Sequence, residues 1–178
     1  MFRSRDRLWC MVCLVRSFLE FLLPPVADNT ISGTRFPVYV FILIAIASTA
    51  RSCIHLLARD GGAGSIAGMD LSVAGAPGII FAFALWGSAQ LIYAMIQLTV
   101  AFRYRSLVPF MYVLLFVETL LRMLVGHMKP LSFAHTPPGA YANYAALPLA
   151  ALMIILSFST WHRASYRQIT RPCATRDE

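Results

Sequence analysis

Charge is what this sequence has least of. Charged residues fill 13% of its 178 positions, against about 25% in ordinary soluble domains. With 58% hydrophobic residues and a mean hydropathy of +0.67, the chain reads as a membrane protein. Cysteine is sparse as well. Cys10 and Cys13 lie near the N-terminus, Cys53 in an apolar run and Cys173 in the tail, so no disulfide framework is evident. Cys10-Met-Val-Cys13 is a formal C-x-x-C, but no second pair faces it across the membrane, and it reads as apolar filler. G-x-S-x-G, the P-loop and H-E-x-x-H are all missing. No catalytic motif remains, and nothing calls for a cofactor or a metal. The net charge of +7 does not point to nucleic acid, because the basic residues sit at the ends of apolar runs rather than on one face of soluble elements.

Long apolar runs are what the chain has in abundance. Residues 36–58, 76–102, 107–128 and 141–161 are each about the 20 residues needed to cross roughly 30 Å of hydrocarbon. The fold class that follows is all-α, a polytopic membrane protein built as a four-transmembrane-helix bundle. Basic residues set its direction. Five Arg in the N-terminal segment (3, 5, 7, 16, 35), two in the turn between spans two and three (103, 105) and four in the tail (163, 167, 171, 176) lie on one side. Only Arg59 and Lys129 lie on the other. The split of 11 to 2 places both termini in the cytoplasm.

Outside the bundle stand residues 1–35 and the basic tail, 162–178. In the first, Leu8 to Leu23 is too short to span and is interrupted by Arg16 and Glu20, one helical turn apart and able to pair. It reads as an amphipathic helix lying on the membrane surface, ended by Pro24-Pro25. A secretory signal is the rival reading, but those charges spoil its apolar region. The loop Arg59 to Gly75 holds Gly61, Gly62, Gly64, Gly68 and Gly75. It is either a flexible connector or a segment folded into the bundle mouth, where its amides could converge on a ligand. The loop Lys129 to Ala140 contains Thr136-Pro137-Pro138-Gly139, a stiff turn leading into span four. Arg103 to Ser106 is so short that spans two and three should be antiparallel neighbours.

The interior carries the chemistry. In span one Arg51, His55 and Arg59 recur at i, i+4 and i+8, and in span three Glu118 and Arg122 are i and i+4. Counting at 1.5 Å per residue puts Arg51 and Arg122 each about 22 Å from the start of their spans. Shared depth suggests Glu118 held between Arg51 and Arg122, with His55 above them, since a lone charge there is costly. Trp86, Gln90, Tyr93 and Gln97 form a polar stripe on span two, and Gln90 can reach the charged layer or bond a neighbouring helix. In span four Pro148 implies a kink, and Ala145, Ala146, Ala150 and Ala151 imply close packing. His55 and His127 have similar depth and could in principle be axial haem ligands, with His135 a third candidate for a metal; ordinary interfacial or hydrogen-bonded histidines are the plainer reading.

The run from Arg51 through Ile54-His55, Asp60-Gly61-Gly62-Ala63, Arg103-Tyr104-Arg105-Ser106-Leu107-Val108-Pro109, Glu118, Arg122 and Thr136-Pro137-Pro138-Gly139 resembles small four-span proteins of bacterial inner membranes, broadly DoxX-like, over residues 36 to 160. The resemblance implies a helical bundle in a bacterial plasma membrane and carries no activity to any residue. The expectation is a cavity lined by Arg51, His55, Glu118, Arg122, Gln90 and Trp86. It would bind a small or lipid-like anionic ligand, or the protein would serve as an accessory subunit of a homo-oligomer or membrane complex. The alternatives are a membrane oxidoreductase using quinone or haem, and a small oligomeric transporter.

Overall fold

The computed structural model describes residues 15–31, 34–130 and 136–169, the last as far as residue 159 for side chains. Every regular element among them is helical. A short helix, α1 (residues 15–22), precedes α2 (Phe36–Leu57), α3 (Ala76–Arg103), a 3-10 turn (Arg105–Leu107), α4 (Val108–Met128) and α5 (Pro138–Ile169). The segments Phe36–Leu57, Ala76–Arg103, Arg105–Met128 and Pro138–Ser159 are four helices long and apolar enough to cross a membrane, which fits a multi-pass membrane protein.

Each long helix begins on a proline in its first turn: Pro37, Pro77, Pro109 and Pro138. The missing N–H costs nothing there, and the fixed φ suits a helix start. The fourth span differs from expectation at both ends. The apolar segment begins at Pro138 instead of residue 141 and ends at Ser159 instead of residue 161, while the helix itself continues to Ile169. Pro148 lies inside it and removes one backbone donor.

The helices pair as two hairpins, α2 with α3 and α4 with α5. The short connection from Arg103 to Ser106 favours α3 and α4 as close neighbours, yet they pack sparsely beyond it. Small residues decide the matter. Along α3, Gly87, Ala94 and Ala101 are buried at seven-residue spacing, and along α2 so are Val38, Ala45 and Ser52. A Cβ at Gly87 would stand 2.8 Å from His55 Cβ and from the Leu56 amide. The α2 and α3 backbones thus approach as only small side chains allow.

Between the hairpins, the apolar core is confined to the end that carries Arg35, Arg103 and Arg105. Val38 and Phe41 of α2, Val100 and Ala101 of α3, Val108, Met111, Tyr112 and Leu115 of α4, and Ala150 and Met153 of α5 build it. Tyr112 stacks edge-on against Phe41 at 5.6 Å and donates its hydroxyl to the Pro37 carbonyl at 2.7 Å. The N-terminal segment seals this end. Phe18 and Phe21 of α1 each meet Phe158 of α5 at 5.4 Å. Farther on, the Asp28 amide donates to Ser106 Oγ at 3.0 Å and the Ser106 hydroxyl donates to the Asp28 carbonyl at 2.9 Å. The Arg16–Glu20 pair forms at 2.9 Å, as its spacing predicts, on the exposed side of α1. Cys10, Cys13 and the first three arginines fall outside the described residues.

Toward the opposite end, α4 and α5 bury little. Leu120, Leu121, Leu124 and Val125 of α4 and Tyr141 and Tyr144 of α5 are all exposed. A soluble protein rarely shows so much apolar surface, whereas lipid covers it at no cost.

Candidate functional site

The Arg59–Gly75 loop covers the mouth of the α2/α3 hairpin and is folded on hydrogen bonds of its own. Asp60 organises it. Its Oδ1 accepts the Gly62 amide at 2.9 Å and its Oδ2 the Ser65 amide at 2.7 Å, and these bonds hold its carboxyl down at about 2. Gly61 and Gly62 have φ of 60° and 75°, and a Cβ on Gly61 would press on Phe83 Cβ at 3.0 Å. Only glycine allows both the left-handed turn and the contact with α3. Farther on, Asp70 Oδ1 accepts the Ser72 amide and hydroxyl, which lowers its pKa too.

His55 ties the loop down. Its ring is buried, its Nδ1 lies 2.8 Å from the Gly61 carbonyl oxygen, and it packs between Trp86 at 4.8 Å and Phe83 at 5.8 Å. An imidazole Nδ1–H donating to that carbonyl leaves Nε2 as the free ring nitrogen. The Arg51 guanidinium lies 5.4 Å from the Trp86 ring centroid, one turn below His55 on α2.

The charged layer assembles differently from expectation. Arg122 pairs directly with Glu118 at 3.0 Å on the same helix. Arg51 meets the carboxylate through an amide: its Nη2 donates to Gln90 Oε1 at 3.1 Å, and Gln90 Nε2 donates to Glu118 Oε1 at 3.1 Å. Gln90 thereby ties the two hairpins at this level, as the Tyr112–Pro37 bond does at the arginine-rich end, and His55 belongs to the loop rather than to this layer. The three ionised groups sum to one net positive charge. Among the described residues, Arg122 Nε is buried without a hydrogen-bond partner.

A cavity of about 390 Å³ opens beside this layer. Arg51, His55 and Trp86 line it together with Phe83 of α3, Ile66, Ala67 and Met69 of the loop, and Pro137, Pro138, Gly139 and Ala142 at the start of α5. The six residues expected to share one cavity are therefore divided. Arg51, His55 and Trp86 face it, while Gln90, Glu118 and Arg122 lie outside its lining and tie Arg51 into the bundle. A loop folded into the bundle mouth is one of the two readings its sequence allows, but which of its side chains form the wall is not legible there, because periodicity gives no position to an irregular segment; the start of α5 was not among the expected lining. Phe83 was legible in the sequence, three residues before Trp86 on the same face of α3. His127 is exposed on α4, away from His55, and His135 falls outside the described residues. Chemically, the cavity offers one cationic, planar hydrogen-bond donor at its polar edge and apolar walls elsewhere. No family model, curated protein or solved structure matches the chain.

Proposed function

We propose that the chain is an inner-membrane protein of the small four-span kind, both termini cytoplasmic, whose outward-facing cavity binds a small anionic amphiphile. The carboxylate or phosphate of the ligand lies against Arg51, and its apolar part lies along Phe83, Trp86, Ile66 and Met69. The observation that carries this reading is the count of charges. Two guanidinium groups share one carboxylate, that carboxylate is already paired with Arg122, and Arg51 is left with a neutral amide and an indole face. Surplus positive charge at bilayer depth calls for an anion. The orientation rests on the 11-to-2 asymmetry of basic residues.

Thermal unfolding of the purified protein in neutral detergent tests the reading, with oleate and oleyl alcohol as matched probes. Oleate should raise the Tm of the native chain well above the effect of the alcohol; at a hundred times Kd a bound ligand stabilises by about 2.7 kcal/mol. Arg51→Gln should abolish the difference. Equal shifts from the two probes, or an Arg51→Gln variant that still prefers oleate, would exclude an anion site at Arg51.

A further inference from the structure

The arginine-rich end of the bundle holds a second cavity, of about 440 Å³, remote from Arg51. It is lined by Asn29, Ile31, Arg35, Val38, Tyr39, Ile42 and Arg105. We infer that it binds the phosphate of an anionic phospholipid, with the two arginines on the headgroup and the acyl chains along α2.

Charge gives the first reason. Two guanidinium groups line this space and no carboxylate does; Glu20 and Asp28 line the smaller neighbouring cavity that Arg105 also borders. The Asp28 carboxylate is already taken up by the Thr30 amide at 3.0 Å and the Thr30 hydroxyl at 2.6 Å. Arg105 spends its Nε on the Ala101 carbonyl at 3.1 Å, a bond that fixes the side chain across the end of α3. Its two terminal nitrogens, and the whole Arg35 guanidinium, make no hydrogen bond or ion pair among the described residues. Such fork-shaped donors suit phosphate oxygens.

Shape and depth give the second. Arg35 stands immediately before α2 and Arg105 in the turn between α3 and α4, so both lie where the apolar spans begin. From Arg35 the wall descends α2 through Val38 and Tyr39 to Ile42, seven residues or about 10 Å along the axis. A headgroup layer is roughly 5–7 Å deep, so the cavity runs from phosphate level into the acyl region. Tyr39, exposed one turn into the helix, stands where interfacial aromatic residues gather. The cavity surface is mainly polar, as a headgroup site requires, and Val38 and Ile42 give an acyl chain an apolar path from it along α2.

Native mass spectrometry of the detergent-purified chain, with dioleoyl phosphatidylglycerol, dioleoyl phosphatidylcholine and inorganic phosphate as probes, tests the inference independently of Arg51. The native chain should retain phosphatidylglycerol in preference to phosphatidylcholine. Arg35→Gln, at an exposed side chain with no hydrogen bond or ion pair among the described residues, should weaken that retention on the order of tenfold, the scale of one lost charge-assisted contact. Adding Arg105→Gln should remove the preference, while Arg105→Lys, which keeps the charge, should preserve most of it. Arg103→Gln, exposed at the same end but outside the cavity, should leave it unchanged. Equal retention of the two lipids, or an equal effect of Arg103→Gln and Arg35→Gln, would overturn the site. Inorganic phosphate competing away phosphatidylglycerol at equal concentration would overturn the lipid as its source and leave free phosphate as the ligand.

Discussion

Asp60 is a half-buried carboxylate with an internal task. By accepting the amides of Gly62 and Ser65 it keeps the loop folded over the α2/α3 hairpin, and the loop in turn supplies Ile66, Ala67 and Met69 to the cavity. Its pKa is depressed in the folded protein, from 3.8 to about 2, so the stabilisation it provides is complete above the ordinary value and disappears as pH falls through the depressed one. Hydrogen exchange at the Gly62 and Ser65 amides, corrected for intrinsic rates, should therefore show constant protection near neutrality and a loss of protection between about pH 4 and pH 2. In Asp60→Asn the protection should be weaker throughout and independent of pH in that window. A native profile that stays flat down to pH 2 would show that the carboxylate does not hold the loop. Sequence alone reveals five glycines here and cannot reveal that one aspartate gathers them, because a carboxylate bonded to amides two and five residues on leaves no periodic trace.

At the scale of elements, one amide matters more than any charge. Gln90 joins α3 to α4 where apolar contact between the hairpins has thinned, and it accepts from Arg51 while donating to Glu118. Gln90→Leu keeps the volume but leaves the Arg51 and Glu118 side chains each short of a partner. Unfolding in mixed micelles should show a loss of about 1–2 kcal/mol, within the range of interhelical hydrogen bonds plus an unsatisfied buried group. A Gln90→Leu variant as stable as the native chain would show that the Gln90 link adds nothing to what the apolar core and the Tyr112–Pro37 bond already supply. The Glu118–Arg122 pair was legible beforehand, since i, i+4 spacing settles it within a single helix. That Arg51 would reach Glu118 only through Gln90 was not, because a residue's place on its own helix leaves open how that helix is rotated against its neighbours. The hairpin pairing escaped for a similar reason. Loop length suggested α3 against α4, while the decisive approach of Gly87 to His55 depends on where two surfaces happen to be thin.

For the whole molecule, the four apolar helices were the most legible feature, with boundaries displaced by only a residue or so except in α5. Hydropathy is additive along a segment and needs no knowledge of partners. The proposed orientation can be checked in a cysteine-free background carrying a single new thiol. A cysteine at Asp70 should react with a membrane-impermeant maleimide in intact cells, and one at Ala174 only after lysis. The reverse pattern would invert the proposed topology and turn the Arg51 cavity toward the cytoplasm.

The apolar core between the hairpins lies near one end only. Beyond it, the arms are kept together by the Gln90 link and by whatever the surrounding leaflet presses upon them. Lateral pressure thus becomes part of the protein's own packing: bilayers whose lipids crowd that leaflet should squeeze the cavity, and thinner or more loosely packed ones should let it widen.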